Sequence, residues 1–203
     1  MESVVIIGGN SLAFELIKIL KKKYRVYYLV RKKKKIKHSQ KVIKFNEKEI
    51  IKNLNEIKPI ILINLLSTLS SNVSLSFKIN VKLPMQLLNW TKLNPKAKLI
   101  LIGSAAEYGL SKKKKIHEKT LLKPKSVYGF SKSLQSIYAQ YHYLTYGTNF
   151  ILLRLFNLKG KIFNNKLLIG KINNFIQINK SKKSVLHLGD LSSYRDYIDV
   201  ATV

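Results

Sequence analysis

Short apolar runs alternate with amphipathic stretches along almost the whole chain, and this alternation restricts the fold more than any other feature. Ser3–Ile7 predicts a strand and Leu12–Lys22 a helix; Arg25–Val30 and Lys41–Phe45 predict a second and third strand. Over Glu47–Ile57 the residues Ile50, Ile51, Leu54 and Ile57 recur at helical spacing, Pro59 stops that helix, and Ile60–Leu65 reads as a buried strand. A long helix over Phe77–Leu93, a strand over Lys98–Ile102, a second long helix over Tyr128–Tyr146 and a strand over Phe150–Leu155 follow. Strands separated by helices imply an α/β fold with a parallel sheet covered on both faces. Right-handed crossovers then give a doubly wound, three-layer sheet.

From Leu158 the pattern changes. Leu167–Ile178 reads as a helix, Ser184–Leu188 as a short strand before Gly189-Asp190, and Asp199 as a helix start just ahead of Val203. One domain is therefore expected over 1–157, with 158–203 the start of a second portion that breaks off in mid-pattern, as in a fragment or a natural truncation.

Composition narrows the function classes. At 46% hydrophobic the chain buries a proper core. With no cysteine it has no disulfide, thiol nucleophile or thiolate metal site. His38, His117, His142 and His187 show no metal-ligand spacing, so no metal is expected. No apolar run is long enough to span a bilayer, and a signal-peptide order is absent at the N-terminus; a cytoplasmic protein is expected, with no membrane partner. The net charge of +28 comes from lysine spread everywhere, with runs at Lys21–Lys23, Lys32–Lys35 and Lys112–Lys115. That distribution reads as solvated surface charge in a chain biased toward Lys, Ile and Asn, without a specific nucleic-acid partner. It still favours a phosphate-bearing ligand.

The first strand runs into Gly8-Gly9-Asn10-Ser11-Leu12-Ala13-Phe14. A dinucleotide loop needs glycine at the tight turn and where the backbone nears the pyrophosphate, which rests on the helix N-terminus. Gly8 and Gly9 meet the first need. Ser11 stands where a close-approach glycine is usual and can instead offer a hydroxyl or cap the helix. Phe14 takes the place of the third glycine. The same residues also suit an ordinary strand-to-helix turn. After the second strand, Arg31 and Lys32 replace the acidic residue that would bind a ribose 2′-hydroxyl. They suit a 2′-phosphate, hence NADP over NAD, or belong to the surface run. Asn46 can hydrogen-bond an adenine or serve as a turn residue.

Chemistry concentrates in Ser104, Tyr128 and Lys132. Ser104 follows a strand in Gly103-Ser104-Ala105-Ala106-Glu107-Tyr108-Gly109; Tyr128 and Lys132 open a long helix in Ser126-Val127-Tyr128-Gly129-Phe130-Ser131-Lys132. Four-residue spacing sets the phenol and the ammonium one turn apart on one helix face. A phenol beside a cation exchanges a proton, and a strand-end serine can hold the oxygen that receives it.

On these residues the chain resembles the extended short-chain dehydrogenases, the NAD-dependent epimerase/dehydratase family, with a Rossmann-like fold. Asn64-Leu65-Leu66-Ser67, Asn80-Val81, Glu118, Pro124, Arg154-Leu155-Phe156-Asn157-Leu158-Lys159-Gly160 and Gly189-Asp190-Leu191 with Arg195-Asp196-Tyr197-Ile198-Asp199-Val200 carry the resemblance further. It implies that Ser104, Tyr128 and Lys132 form the catalytic triad. It implies a cofactor held by Gly8, Gly9, Asn10, Ser11, Leu12, Arg31, Asn46, Leu65, Asn80, Tyr128 and Lys132. It implies a nucleotide-sugar held by Ser104, Asn157 and Arg195. It also implies that 1–157 is the dinucleotide-binding and catalytic domain, that 158–203 begins the substrate-binding portion, and that helices near Phe77–Leu93 and Tyr128–Tyr146 can pair in a homodimer.

Family dehydratases carry an acid two positions before the Tyr-Gly that follows the catalytic Ser or Thr; here that position is Ala106, and Ala105 precedes it. Glu107 is one residue displaced and, on an extended segment, would point to the opposite side. What remains is a 4-keto reductase or a C4 epimerase of a nucleotide-sugar. The motif detail most resembles the GDP-4-dehydro-6-deoxy-mannose reductases, which favours reduction of a GDP- or dTDP-linked deoxysugar. A degenerate, non-catalytic dinucleotide-binding protein is the remaining alternative, supported by Ser11, Phe14 and the early end.

Overall fold

The computed structural model describes residues 1–8, 11–30, 41–44, 49–110, 115–160, 168–179, 184–189, 191 and 195–203. Strands β1 (Ser3–Ile7), β2 (Arg25–Val30), β3 (Lys41–Lys44), β4 (Ile61–Asn64), β5 (Lys98–Ser104) and β6 (Phe150–Leu155) form one parallel sheet in the order β3-β2-β1-β4-β5-β6. The order reverses between β1 and β4, so the switch point of a doubly wound sheet lies beside the end of β1, where Ile7 pairs with Asn64. Helices α1 (Ser11–Leu20), α2 (Ile50–Ile57), α3 (Val73–Phe77), α4 (Leu83–Leu93) and α5 (Val127–Tyr146) connect the strands.

The apolar runs form strands because both faces of a central parallel strand are buried. In β1, Val4 to Ile7 are fully buried. Val5, Ile7, Leu29, Leu62, Leu99 and Leu101 pack with Leu54, Leu87, Leu88, Trp90 and Ala139 from the helices. Strand β6 lies at the sheet edge and is only partly buried. Helix α2 ends where Lys58 turns left-handed at φ 48° and its amide bonds the Leu54 carbonyl at 2.8 Å, directly before Pro59.

Three expectations need refinement or correction. The long helix expected over Phe77–Leu93 is helical throughout but starts earlier, with α3, and contains a π-helical turn over Lys78–Lys82 before α4. Ser184–Leu188 forms no strand; a strand there would need a partner edge, and among the described residues none is paired with it. Asp199 ends a strand, β8 (Tyr197–Asp199), which pairs in parallel with β7 (Asn157–Lys159), so no helix starts there. Contacts divide the chain into Met1–Leu155 and a second compact unit, Phe156–Val203, which holds β7, β8 and α6 (Leu168–Ile178). Among the described residues no helix is long and apolar enough to cross a membrane.

Candidate active site

Ser104 is the last residue of β5 to pair, opposite Leu155, so it stands at the C-terminal edge of the sheet, where ligands of such folds bind. The chain then enters a 3₁₀ turn over Ala105–Glu107. Ser104 and Glu107 cap it reciprocally: the Ser104 hydroxyl accepts from the Ala106 N–H at 3.2 Å, and Glu107 Oε1 accepts from the Ser104 N–H at 2.7 Å. Sequence reasoning placed Glu107 on an extended segment pointing away. In fact the turn swings its carboxylate inward, fully buried.

Helix α5 brings the other two groups. Ser126 caps it by accepting from the Gly129 N–H at 3.0 Å. A Cβ on Gly129 would lie 2.4 Å from the Ala106 carbonyl oxygen, so only glycine lets the first turn of α5 touch the 3₁₀ turn. That backbone contact sets the first turn of α5, with Tyr128, beside the turn that follows Ser104, near enough for the Ser104 hydroxyl to lower the phenol. With one lone pair of Ser104 already accepting from Ala106, its hydroxyl proton is free to be donated to the phenol oxygen. Both residues remain partly exposed.

Lys132 is 2% exposed. Its Nζ donates to the Ile102 carbonyl at 2.7 Å and to Gln135 Oε1 at 3.1 Å, while Gln135 Nε2 donates to the same carbonyl at 3.2 Å. Burial pulls the ammonium down to about 8, against the charge of Glu107, which raises it. The phenol of Tyr128 moves the other way: burial raises it, the Ser104 hydrogen bond partly offsets this, and the Glu107 charge raises it further. A cation such as Lys132 is expected to lower a neighbouring phenol; within the protein itself burial and Glu107 prevail.

Glu107 ties this corner together. Its Oε2 accepts from Ser136 Oγ at 2.5 Å and from Arg154 Nε at 2.8 Å. Arg154 reaches on to the Tyr108 hydroxyl at 3.3 Å and the Glu118 carbonyl at 3.2 Å. Asn80, inside the π-helical turn, is fully buried: its side chain bonds the backbone N–H and C=O of Thr68, each at 2.9 Å, and donates to Ser131 Oγ at 2.9 Å. Ser131 in turn donates to the Tyr128 carbonyl at 2.8 Å. Asn80 thus acts on the first turn of α5 through Ser131.

The cofactor-side residues assemble at the switch point. Gly8 adopts φ 103°, which side chains rarely tolerate, and a Cβ there would lie 2.7 Å from the Leu66 amide nitrogen. Its N–H donates to the Leu29 carbonyl at 3.0 Å, and the Leu65 N–H donates to the Ile7 carbonyl at 2.8 Å. Ser11 begins α1, and Leu12 and Leu65 are buried. An obligate glycine at the end of β1, followed by a helix N-terminus at the switch point, fits a bound dinucleotide. Gly9, Asn10, Arg31 and Asn46 lie outside the described residues.

In the second unit, Asn157 opens β7 opposite Tyr197, and its side chain donates to the Asp196 carbonyl at 3.0 Å. Arg195 is therefore two positions from Asn157's strand partner, and its side chain is exposed. On the helices assigned a pairing face, Phe77, Phe130, Ile137 and Leu144 are exposed.

Ser104, Tyr128 and Lys132 thus gather at the C-terminal edge of a doubly wound parallel sheet. The NAD dependent epimerase/dehydratase family model matches residues 9–203, and the chain belongs to that family. No curated protein matches it. The UDP-N-acetylglucosamine 4-epimerase of Methanobrevibacter ruminantium, solved with UDP-N-acetylmuramic acid, is 20% identical, with a TM-score of 0.86 over 98% of this chain and 69% of that one. The UDP-glucose 4-epimerase of Thermus thermophilus, solved with NAD, is 21% identical, with a TM-score of 0.81 over 98% and 70%. The UDP-glucuronic acid 4-epimerase of Bacillus cereus, solved with UDP-glucuronic acid and NAD, is 18% identical, with a TM-score of 0.82 over 98% and 69%. These likenesses establish the shared fold.

Proposed function

We propose that the chain is an NAD(P)-dependent nucleotide-sugar oxidoreductase that reduces the 4-keto group of a GDP- or dTDP-linked deoxysugar. The carrying observation is the gathering of Ser104 at the tip of β5 with Tyr128 and the buried Lys132 ammonium on the first turns of α5, where burial raises the phenol and so favours its proton-bearing form. Reduction of a ketone begins with a proton donor, whereas epimerisation begins with a base. The carboxylate nearby does not supply a second acid/base, because both Glu107 oxygens are engaged and the side chain is fully buried. That argues against elimination, which needs one.

A bound nicotinamide cofactor would supply the hydride for reduction of the sugar ketone. Gly8, Ser11, Leu12 and Leu65 would hold its dinucleotide, together with Gly9 and Asn10. Arg31 suits the 2′-phosphate of NADP. Ser104 holds the carbonyl oxygen, Tyr128 gives it a proton as it gains negative charge, and the Lys132 ammonium favours the phenolate left behind. Asn157 and Arg195 are assigned to the nucleotide-sugar by their place in the family's motifs.

C4 epimerisation is the second reading. It needs the same three side chains, and the family and the three solved enzymes named above favour it. The test incubates the purified chain with NADPH or NADH and either GDP-4-keto-6-deoxymannose or dTDP-4-keto-6-deoxyglucose, and in parallel with UDP-glucose and NAD. Loss of reduced-cofactor absorbance with a keto sugar is the expected result. UDP-galactose formed without net cofactor turnover would replace this reading with the epimerase. Failure to bind either reduced cofactor by fluorescence titration would leave a non-catalytic protein.

A further inference from the structure

We propose that Glu107 is a positioning residue, a buried counter-charge that braces the tip of β5 carrying Ser104 against the helix carrying Tyr128 and Lys132. The proposal rests on the reductase reading of the site and adds a fourth side chain to it.

A fully buried carboxylate costs several kcal/mol unless it is paired and hydrogen-bonded. Glu107 meets both conditions with partners from three separate elements: the Ser104 N–H at the tip of β5, the Ser136 hydroxyl one turn beyond Lys132 on α5, and the Arg154 guanidinium on β6. It therefore braces the strand end carrying Ser104 against the helix carrying Tyr128 and Lys132. Gly103 leaves room for it: a Cβ there would lie 2.7 Å from Glu107 Oε1.

The charge matters as much as the bonds. Lys132 is buried against a carbonyl and a neutral amide, and neither carries a formal negative charge. Among the described residues, the ionisable groups facing this corner are Tyr128 on α5, Glu107 and Tyr108 at the 3₁₀ turn, and Arg154 on β6, the last bonded to both Glu107 and the Tyr108 hydroxyl. Without Glu107 the corner would hold two cations and no anion, which favours loss of the Lys132 proton. With Glu107 the corner carries one net positive charge, and a phenolate at Tyr128 brings it to neutrality.

The test is made on the full chain and needs no substrate, so it stands apart from the outcome of the turnover assay. With ¹³Cε-labelled lysine, the Lys132 resonance is identified by its loss in Lys132→Arg, and burial should place its midpoint below the ordinary lysine range, at about 8. In Glu107→Gln, which keeps the size and one acceptor oxygen, that midpoint should fall. An unmoved midpoint in the folded variant overturns the proposal. Should Glu107→Gln fail to fold, the wild-type chain decides: the Glu107 carboxyl carbon should shift in step with Lys132 deprotonation, and a resonance flat through that range overturns it equally.

Discussion

Two corners of the same sheet edge are built in opposite ways. At the end of β1, Gly8 and Leu65 are fixed by backbone bonds to Leu29 and Ile7, with apolar side chains around them. At the end of β5, Ser104, Glu107, Ser131, Lys132, Gln135 and Arg154 are fixed by side-chain hydrogen bonds. A pyrophosphate needs only N–H groups and a helix end, so a backbone turn suffices. Proton transfer needs particular atoms at bonding distance, so the side chains themselves must be locked, here by both main-chain and side-chain partners. Damage should therefore appear as lost affinity at the first corner and lost turnover at the second.

The largest expected effect is in Tyr128→Phe. Turnover should fall by about 10²–10⁴-fold while the dissociation constant for reduced cofactor stays within about twofold. Comparable losses in both would make the two corners one unit.

Lys132→Met tests the burial of the ammonium. The folded midpoint is depressed from 10.5 to about 8, so the unfolded chain binds the extra proton between those values. Stability of the wild type should rise as pH climbs through that window and be lower below it, by at most about 3 kcal/mol. The variant should lack this rise in denaturant unfolding followed from pH 7 to pH 10. Identical slopes for the two proteins would show that the amine is solvated.

Smaller still is Gly8→Ala. A positive φ and contact with the Leu66 backbone predict about 1–3 kcal/mol of lost stability, with weakened cofactor binding and an unchanged Lys132 midpoint. Wild-type affinity in this variant would remove the close approach from the account of the loop.

The middle of the sheet was legible because buried parallel strands such as Ser3–Ile7 and Ile61–Asn64 are continuous apolar runs set between helices. Ser104, Tyr128 and Lys132 were legible because a strand end and a four-residue helical spacing are both written in sequence. The π-helical turn around Asn80 was not, since it depends on hydrogen bonds to Thr68 and Ser131. Strands β7 and β8 are three residues each, too short to show a period. Glu107 does carry a sequence signal: Ser104-Ala105-Ala106-Glu107 is the spacing of a capping box, which turns the carboxylate back on the serine. Gly129 had none, because its need for a missing Cβ arises only when α5 meets the Ala106 carbonyl.

The acceptor that holds Lys132 and Gln135 is a main-chain oxygen, that of residue 102. Every amino acid presents that atom, so the mooring of the ammonium does not depend on which side chain occupies the position. A polypeptide whose composition leans this far toward lysine and isoleucine can exchange residues there and leave its charged group tethered in the same place.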